Sequence, residues 1–187
     1  WTWEHMALTR ARIVAGDEAL GRRIEDIVEQ VMTAPRDMAK VRREAAEMRS
    51  LIAKEKPASS KWDLKLIRGG LIDLEFMAQV TTLERGQHDG FRRPSGTADA
   101  LALILPDQLD PQSRQELVDA HALYSQLTQI IRLCLTGSLD PKDIPPGLAD
   151  LLLTRTDLPE IGVLEAHIGE TAGRVAEISS QFFRRKG

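Results

Sequence analysis

The chain has 187 residues, 28% of them charged and 42% hydrophobic, with a formal net charge of −3. That length is enough for one domain with a core of its own, and the composition is far from that of a disordered chain. With no basic excess to neutralise phosphates it is not expected to bind nucleic acid, and its single cysteine, Cys134, excludes an internal disulfide and a cysteine-cluster zinc site.

The chain starts at Trp1-Thr2-Trp3-Glu4-His5, without an initiator methionine and inside a helical pattern, so a fragment of a longer protein is expected. Residues 3–14 predict a helix with Trp3, Ala7, Ala11 and Val14 on one side, stopped by Gly16. Asp17 is placed to cap the next helix, where Leu20, Ile24, Ile27, Val28 and Val31 form a single stripe expected to be buried. Pro35 breaks the pattern. Residues 37–54 resume it with Met38, Val41, Ala45, Met48, Leu51 and Ile52, leaving Arg42, Arg43, Glu44 and Glu47 to face water. Lys, Pro, Ala and Ser make residues 55–60 a loop.

After a central stretch to about Arg85, residues 86–96 read as another loop. Ser95 or Thr97 can cap a short helix over 98–105, halted by Pro106. Asp110-Pro111 is a strong helix start, with Asp as N-cap and Pro in the first turn. That helix is predicted to reach Thr136 along a seam of Leu117, Ala120, Tyr124, Leu127, Ile131 and Leu135. Cys134 sits among apolar residues there and is expected to be a buried, inert thiol. Pro141, Pro145 and Pro146 leave room for one short helix near 147–154. The last helix, about 160–184, carries Leu164, Ile168, Thr171, Val175, Ile178 and Phe182 at near-heptad spacing. Arg184, Arg185 and Lys186 follow where cations suit the helix dipole.

No hairpin signal and no internal repeat occurs. The expected fold is all-α, a bundle of about six to eight helices forming a single domain over 1–187. No apolar run approaches membrane-spanning length and no signal-peptide pattern opens the chain, so no membrane partner and a cytoplasmic location are expected.

Lys61–Gln79, K-W-D-L-K-L-I-R-G-G-L-I-D-L-E-F-M-A-Q, is the one stretch that looks chemical. As a strand, Asp73 and Glu75 would lie side by side, the arrangement that nucleotidyltransferases use to hold Mg²⁺. As a helix they are roughly 200° apart and cannot share a metal. The helix is preferred, because no other segment offers a partner strand. It is apolar over most of its girth and should be the buried central helix, with Asp73 on an apolar side and either paired to a cation or hydrogen-bonded. Arg68, Lys65, Lys61 and Arg10 are the candidate partners. Gly69-Gly70 opens the helix, either as a tight turn or as a place where free N–H groups and nearby Arg68 and Lys65 receive an anion.

His5, His88, His121 and His167 fall on separate elements without metal or triad spacing, and no metal site is expected. Gly137-Ser138 with Asp140 and Asp143 lacks the Gly-Ser…Asp-x-Asp spacing of a nucleotidyltransferase and reads as a helix-ending turn.

Trp1–Asp17 (W-T-W-E-H-M-A-L-T-R-A-R-I-V-A-G-D) and Asp63–Gln79, taken in that order, resemble the bacterial glutamine synthetase adenylyltransferases, in the C-terminal half of those enzymes. Related helical domains occur in PII uridylyltransferases. The resemblance implies an α-helical domain that follows a nucleotidyltransferase domain lying before residue 1. It implies a parent enzyme that uses ATP and Mg²⁺ to place AMP on a tyrosine of glutamine synthetase and also removes it, under a PII-type regulator. The metal-binding carboxylates of such enzymes belong to the preceding domain, so this segment is expected to be non-catalytic. Lys61, Lys65, Arg68, Gly69, Gly70, Asp73 and Glu75 are then the candidates for contact with the catalytic domain or its nucleotide. The alternative is a docking domain for the PII-type regulator or for glutamine synthetase, with the charged stretch purely structural.

Overall fold

A computed structural model describes residues 1–137 and 139–184. Eight α-helices and no strand occur among the described residues: α1 (Thr2–Leu8), α2 (Glu18–Thr33), α3 (Met38–Glu55), α4 (Leu71–Arg85), α5 (Thr97–Ala102), α6 (Pro111–Cys134), α7 (Pro146–Thr156) and α8 (Ile161–Arg184). Three of the starts are fixed by aspartate caps. Asp17 accepts from the Leu20 amide at 2.8 Å, Asp37 from that of Lys40 at 3.1 Å, and Asp110 from that of Ser113 at 2.9 Å. The Ser113 hydrogen bonds also hold the Asp110 carboxyl below its ordinary pKa. Ser138, Arg185 and Lys186 lie outside the described residues.

The all-α expectation holds, and the choice of helix over strand for the central stretch holds with it. Helix α4 is the hub, touched by α1, α2, α3, α5, α6 and α8. Its apolar residues Leu74, Met77, Val80 and Leu83 are wholly buried. The seams read along α6 and α8 also face this core, with Leu117, Tyr124, Leu127, Leu164 and Phe182 fully buried. A helix ringed by neighbours needs apolar residues on most of its sides, and Leu71–Arg85 supplies them.

Four expectations are corrected. The first helix ends at Leu8 instead of running to Val14. Thr9 turns its hydroxyl onto the Met6 carbonyl at 2.7 Å, and Arg10 and Ala11 continue in i,i+3 turns. Its buried side is Met6 and Thr9, while Trp3, Ala7 and Val14 are exposed. Helix α2 packs through Gly21, Val28 and Met32, a face roughly a quarter-turn from the predicted stripe at 100° per residue. Leu20, Ile24 and Ile27 are therefore left 52%, 40% and 58% exposed.

Arg42 does not face water. It lies under α8 with its guanidinium 4.4 Å from the Phe182 ring centroid, paired to Glu84 at 2.6 Å. Buried arginine is tolerable here because both its charge and its flat face find partners. Cys134 is exposed, as is neighbouring Leu133, while the seam residues Ile131 and Leu135 on either side still pack against the core.

Candidate functional site

The segment before α4 is a series of tight turns. The Leu66 and Ile67 amides donate to the Asp63 carbonyl, and the Gly70 amide to that of Ile67. The Leu71 and Ile72 amides reach back to the Leu64 and Lys65 carbonyls at 2.8 and 3.3 Å. Gly69 sits at φ +80°, and a Cβ there would overlap the Ala172 carbonyl of α8. Both constraints call for glycine: the left-handed backbone and the helix pressed against it.

Asp73, in the first turn of α4, is buried as expected, but none of its four candidate partners reaches it. Arg49 of α3 does, in a two-pronged pair: Nε to Oδ1 at 2.7 Å and Nη2 to Oδ2 at 3.0 Å. The same Nη2 donates to the Ile67 carbonyl at 3.1 Å. The Gly69 amide donates to Asp73 Oδ2 at 2.6 Å. Asp73 thus ties α3, the Gly-Gly turn and α4 together, and a bidentate charge-assisted pair is the strongest form such a tie takes. With the Gly69 amide on Asp73 and the following amides on carbonyls, the helix start spends its N–H groups internally.

The other candidates scatter. Glu75 faces α1, 3.6 Å from Arg10. Lys61 pairs with Glu165 of α8, which also accepts from Trp62 Nε1 at 2.8 Å. Burial raises the Glu165 pKa, but the hydrogen bonds from Lys61 and Trp62 outweigh it and hold the carboxyl below its ordinary value. Lys65 and Arg68 are exposed. Asp73 and Glu75 therefore serve different sides of α4. Among the described residues, no three His, Cys, Asp or Glu side chains come together as metal ligands.

What the structure does bring together is Arg68 and Asp73, beside Arg49, Ser179, Phe183 and Arg184, around a cavity of about 690 Å³ between α3 and α8. Arg49 Nη1 is buried there without a hydrogen-bond partner. Three arginines against one carboxylate make this wall cationic, suited to a carboxylate or phosphate from outside. Arg49 escaped the sequence reading, and Arg42 was assigned to the solvent face. Their signal was the seven-residue spacing that puts both on the Val41, Ala45 side of α3.

No protein-family model matches the chain. It is 57% identical over 175 residues to a bifunctional glutamine synthetase adenylyltransferase/adenylyl-removing enzyme of Mesorhizobium japonicum, an alignment covering 94% of this chain and 18% of that protein. Enzymes of the same name from Rhizobium meliloti and Brucella suis are 42% and 48% identical, over 95% and 91% of this chain and 18% and 17% of theirs. The chain spans less than a fifth of the length of these relatives. It is a homologue of one segment of them, in keeping with the resemblance seen in Trp1–Asp17 and Asp63–Gln79.

Proposed function

We propose that this chain, as a homologue of one segment of those enzymes, is a helical accessory domain of a protein that transfers AMP from ATP to glutamine synthetase and removes it. In this reading a preceding nucleotidyltransferase domain holds ATP and Mg²⁺, and the helical domain supplies no reacting group. The observation that supports it is the use made of the two carboxylates: Asp73 is committed to Arg49 and Glu75 faces Arg10. The exposed cations Lys65 and Arg68, with Lys61 nearby, form an edge for the catalytic domain. Gly69, Gly70 and Asp73 hold that edge in shape.

The test places this chain in the Mesorhizobium japonicum enzyme in exchange for its matching segment. The chimera is expected to adenylylate glutamine synthetase, and Arg68→Ala to slow it about tenfold, the ~1.4 kcal/mol of one charge contact. The 187-residue chain alone, given Mg²⁺-ATP and glutamine synthetase, is expected to transfer nothing; transfer by the chain alone would refute the accessory role.

A second reading, docking of a PII-type regulator or of glutamine synthetase, is favoured by the inward direction of Asp73, which makes the charged stretch structural. Binding of the isolated chain to either protein, surviving Arg68→Ala, supports it.

A further inference from the structure

A second cleft, of about 560 Å³, lies on the other side of α4, between the turn after α1, the middle of α4 and the loop entering α5. Its size is that of a small-molecule site. Arg10, Arg12, Arg93, Gln79, Ser95 and Thr97 supply its polar lining. Most of the hydroxyls near it are committed: Thr9 to the Met6 carbonyl, Thr82 to that of Ala78, Ser95 to Asp99. Three groups are not. Gln79 is only 6% exposed, and its carboxamide makes no hydrogen bond among the described residues, its polar atoms still reaching the open cleft. Arg93 Nη1 is buried with no acceptor. Arg12 is exposed and pairs with no carboxylate among the described residues.

A buried guanidinium nitrogen left unpaired costs stability, and such a group normally carries a partner. Here it belongs to a residue lining the same cleft as Gln79. The charge around it is three guanidinium groups against two carboxylates: Glu75, which stands 3.6 Å from Arg10, and Asp99, which accepts from Ser95. The balance is positive, and Arg12 and Arg93 form no ion pair among the described residues, so two guanidinium forks in one concave site are open to the several oxygens of a phosphate or pyrophosphate. Gln79 offers both a donor and an acceptor, so it can bond a phosphate oxygen or a polar group attached to one.

We propose that this cleft binds a phosphate-bearing small anion, held by Arg10, Arg12 and Arg93 and oriented by Gln79. The site does not rest on the assignment to an adenylyltransferase, and it is separate from the Arg49–Asp73 cavity.

The test is calorimetric titration of the 187-residue chain with inorganic pyrophosphate and, separately, with AMP, both free of Mg²⁺. Saturable binding is expected for at least one. Tighter AMP binding identifies a phosphorylated organic ligand, and equal or tighter pyrophosphate binding a free polyphosphate. Gln79→Leu, Arg12→Ala and Arg93→Ala are each expected to weaken binding about tenfold. Arg23→Ala, on exposed α2, is expected to leave it unchanged. Gln79→Leu separates binding from folding, because the amide forms no hydrogen bond among the described residues and a leucine of similar size keeps the packing: the melting temperature should hold while affinity falls. Absence of saturable binding by either probe overturns the proposal. So does binding that all three cleft variants leave intact, or that Arg23→Ala weakens equally.

Discussion

Helix α2 has the sharper apolar stripe of the two, yet α4 is the more deeply buried. In α2, Leu20, Ile24 and Ile27 repeat at helical spacing and lie largely in solvent. In α4, apolar residues occur on nearly every side, and six other helices cover them. Among the described elements α2 touches only α1 and α4. Periodicity reports that a helix has two unlike faces. It does not report how many neighbours the helix will have, which depends on the whole chain. The two helices also treat charge differently. On α2, Arg22 and Glu18 form an exposed i,i+4 pair, while on α4 the burial of Asp73 obliges a cation to follow it inside.

The largest effect belongs to α4. Asp73→Ala strands Arg49 in a buried setting and frees the Gly69 amide, so a loss of about 3–5 kcal/mol is expected in urea unfolding. That is a large share of the roughly 5–15 kcal/mol that stabilises an ordinary domain. The double variant Asp73→Leu, Arg49→Met should recover most of it, since removing both charges leaves nothing unpaired. If Asp73→Ala costs under about 1 kcal/mol, the pair is not what holds α3 to α4.

Next is Arg42→Met, which keeps a long flexible side chain beside Phe182 and deletes the charge. Glu84 then loses its ion pair but keeps the Gln108 amide at 2.8 Å. The expected loss is about 2 kcal/mol, less than at Asp73, because the abandoned carboxylate retains a donor. A cost equal to that of Asp73→Ala would mean that the guanidinium's contact with the Phe182 ring outweighs its ion pair.

The legibility of the sequence divides along the same line. The extents of α4, α6 and α8 followed from spacing and end signals such as Asp110-Pro111, which are local. The buried state of Asp73 also followed, because its apolar neighbours on the helix are local. Arg49 as its partner did not, since 24 residues separate them and an arginine on a helix resembles any solvated charge. Arg42 was misjudged for the same reason. Gln79 entered the sequence reading only as the end of the Lys61–Gln79 stretch, because nothing local shows that its amide has no partner within the fold.

The smallest effect tests α2. Leu20→Ser, Ile24→Ser and Ile27→Ser remove exposed side chains, so each should change the stability of the isolated chain by no more than about 0.5 kcal/mol. Met32→Ala, on the same helix but fully buried, should cost about 2–5 kcal/mol. The contrast within one helix controls for helix propensity, since Ser and Ala differ by only a few tenths of a kcal/mol there. If the stripe variants each cost more than about 1 kcal/mol, the stripe is covered in solution. Repeating the unfolding at two protein concentrations then shows what covers it. A cost that grows with concentration means that copies of the chain pair through α2, because association links stability to mass action. A cost independent of concentration means that α2 turns its stripe inward, and Val28 and Met32 would then have to give up their places against α4.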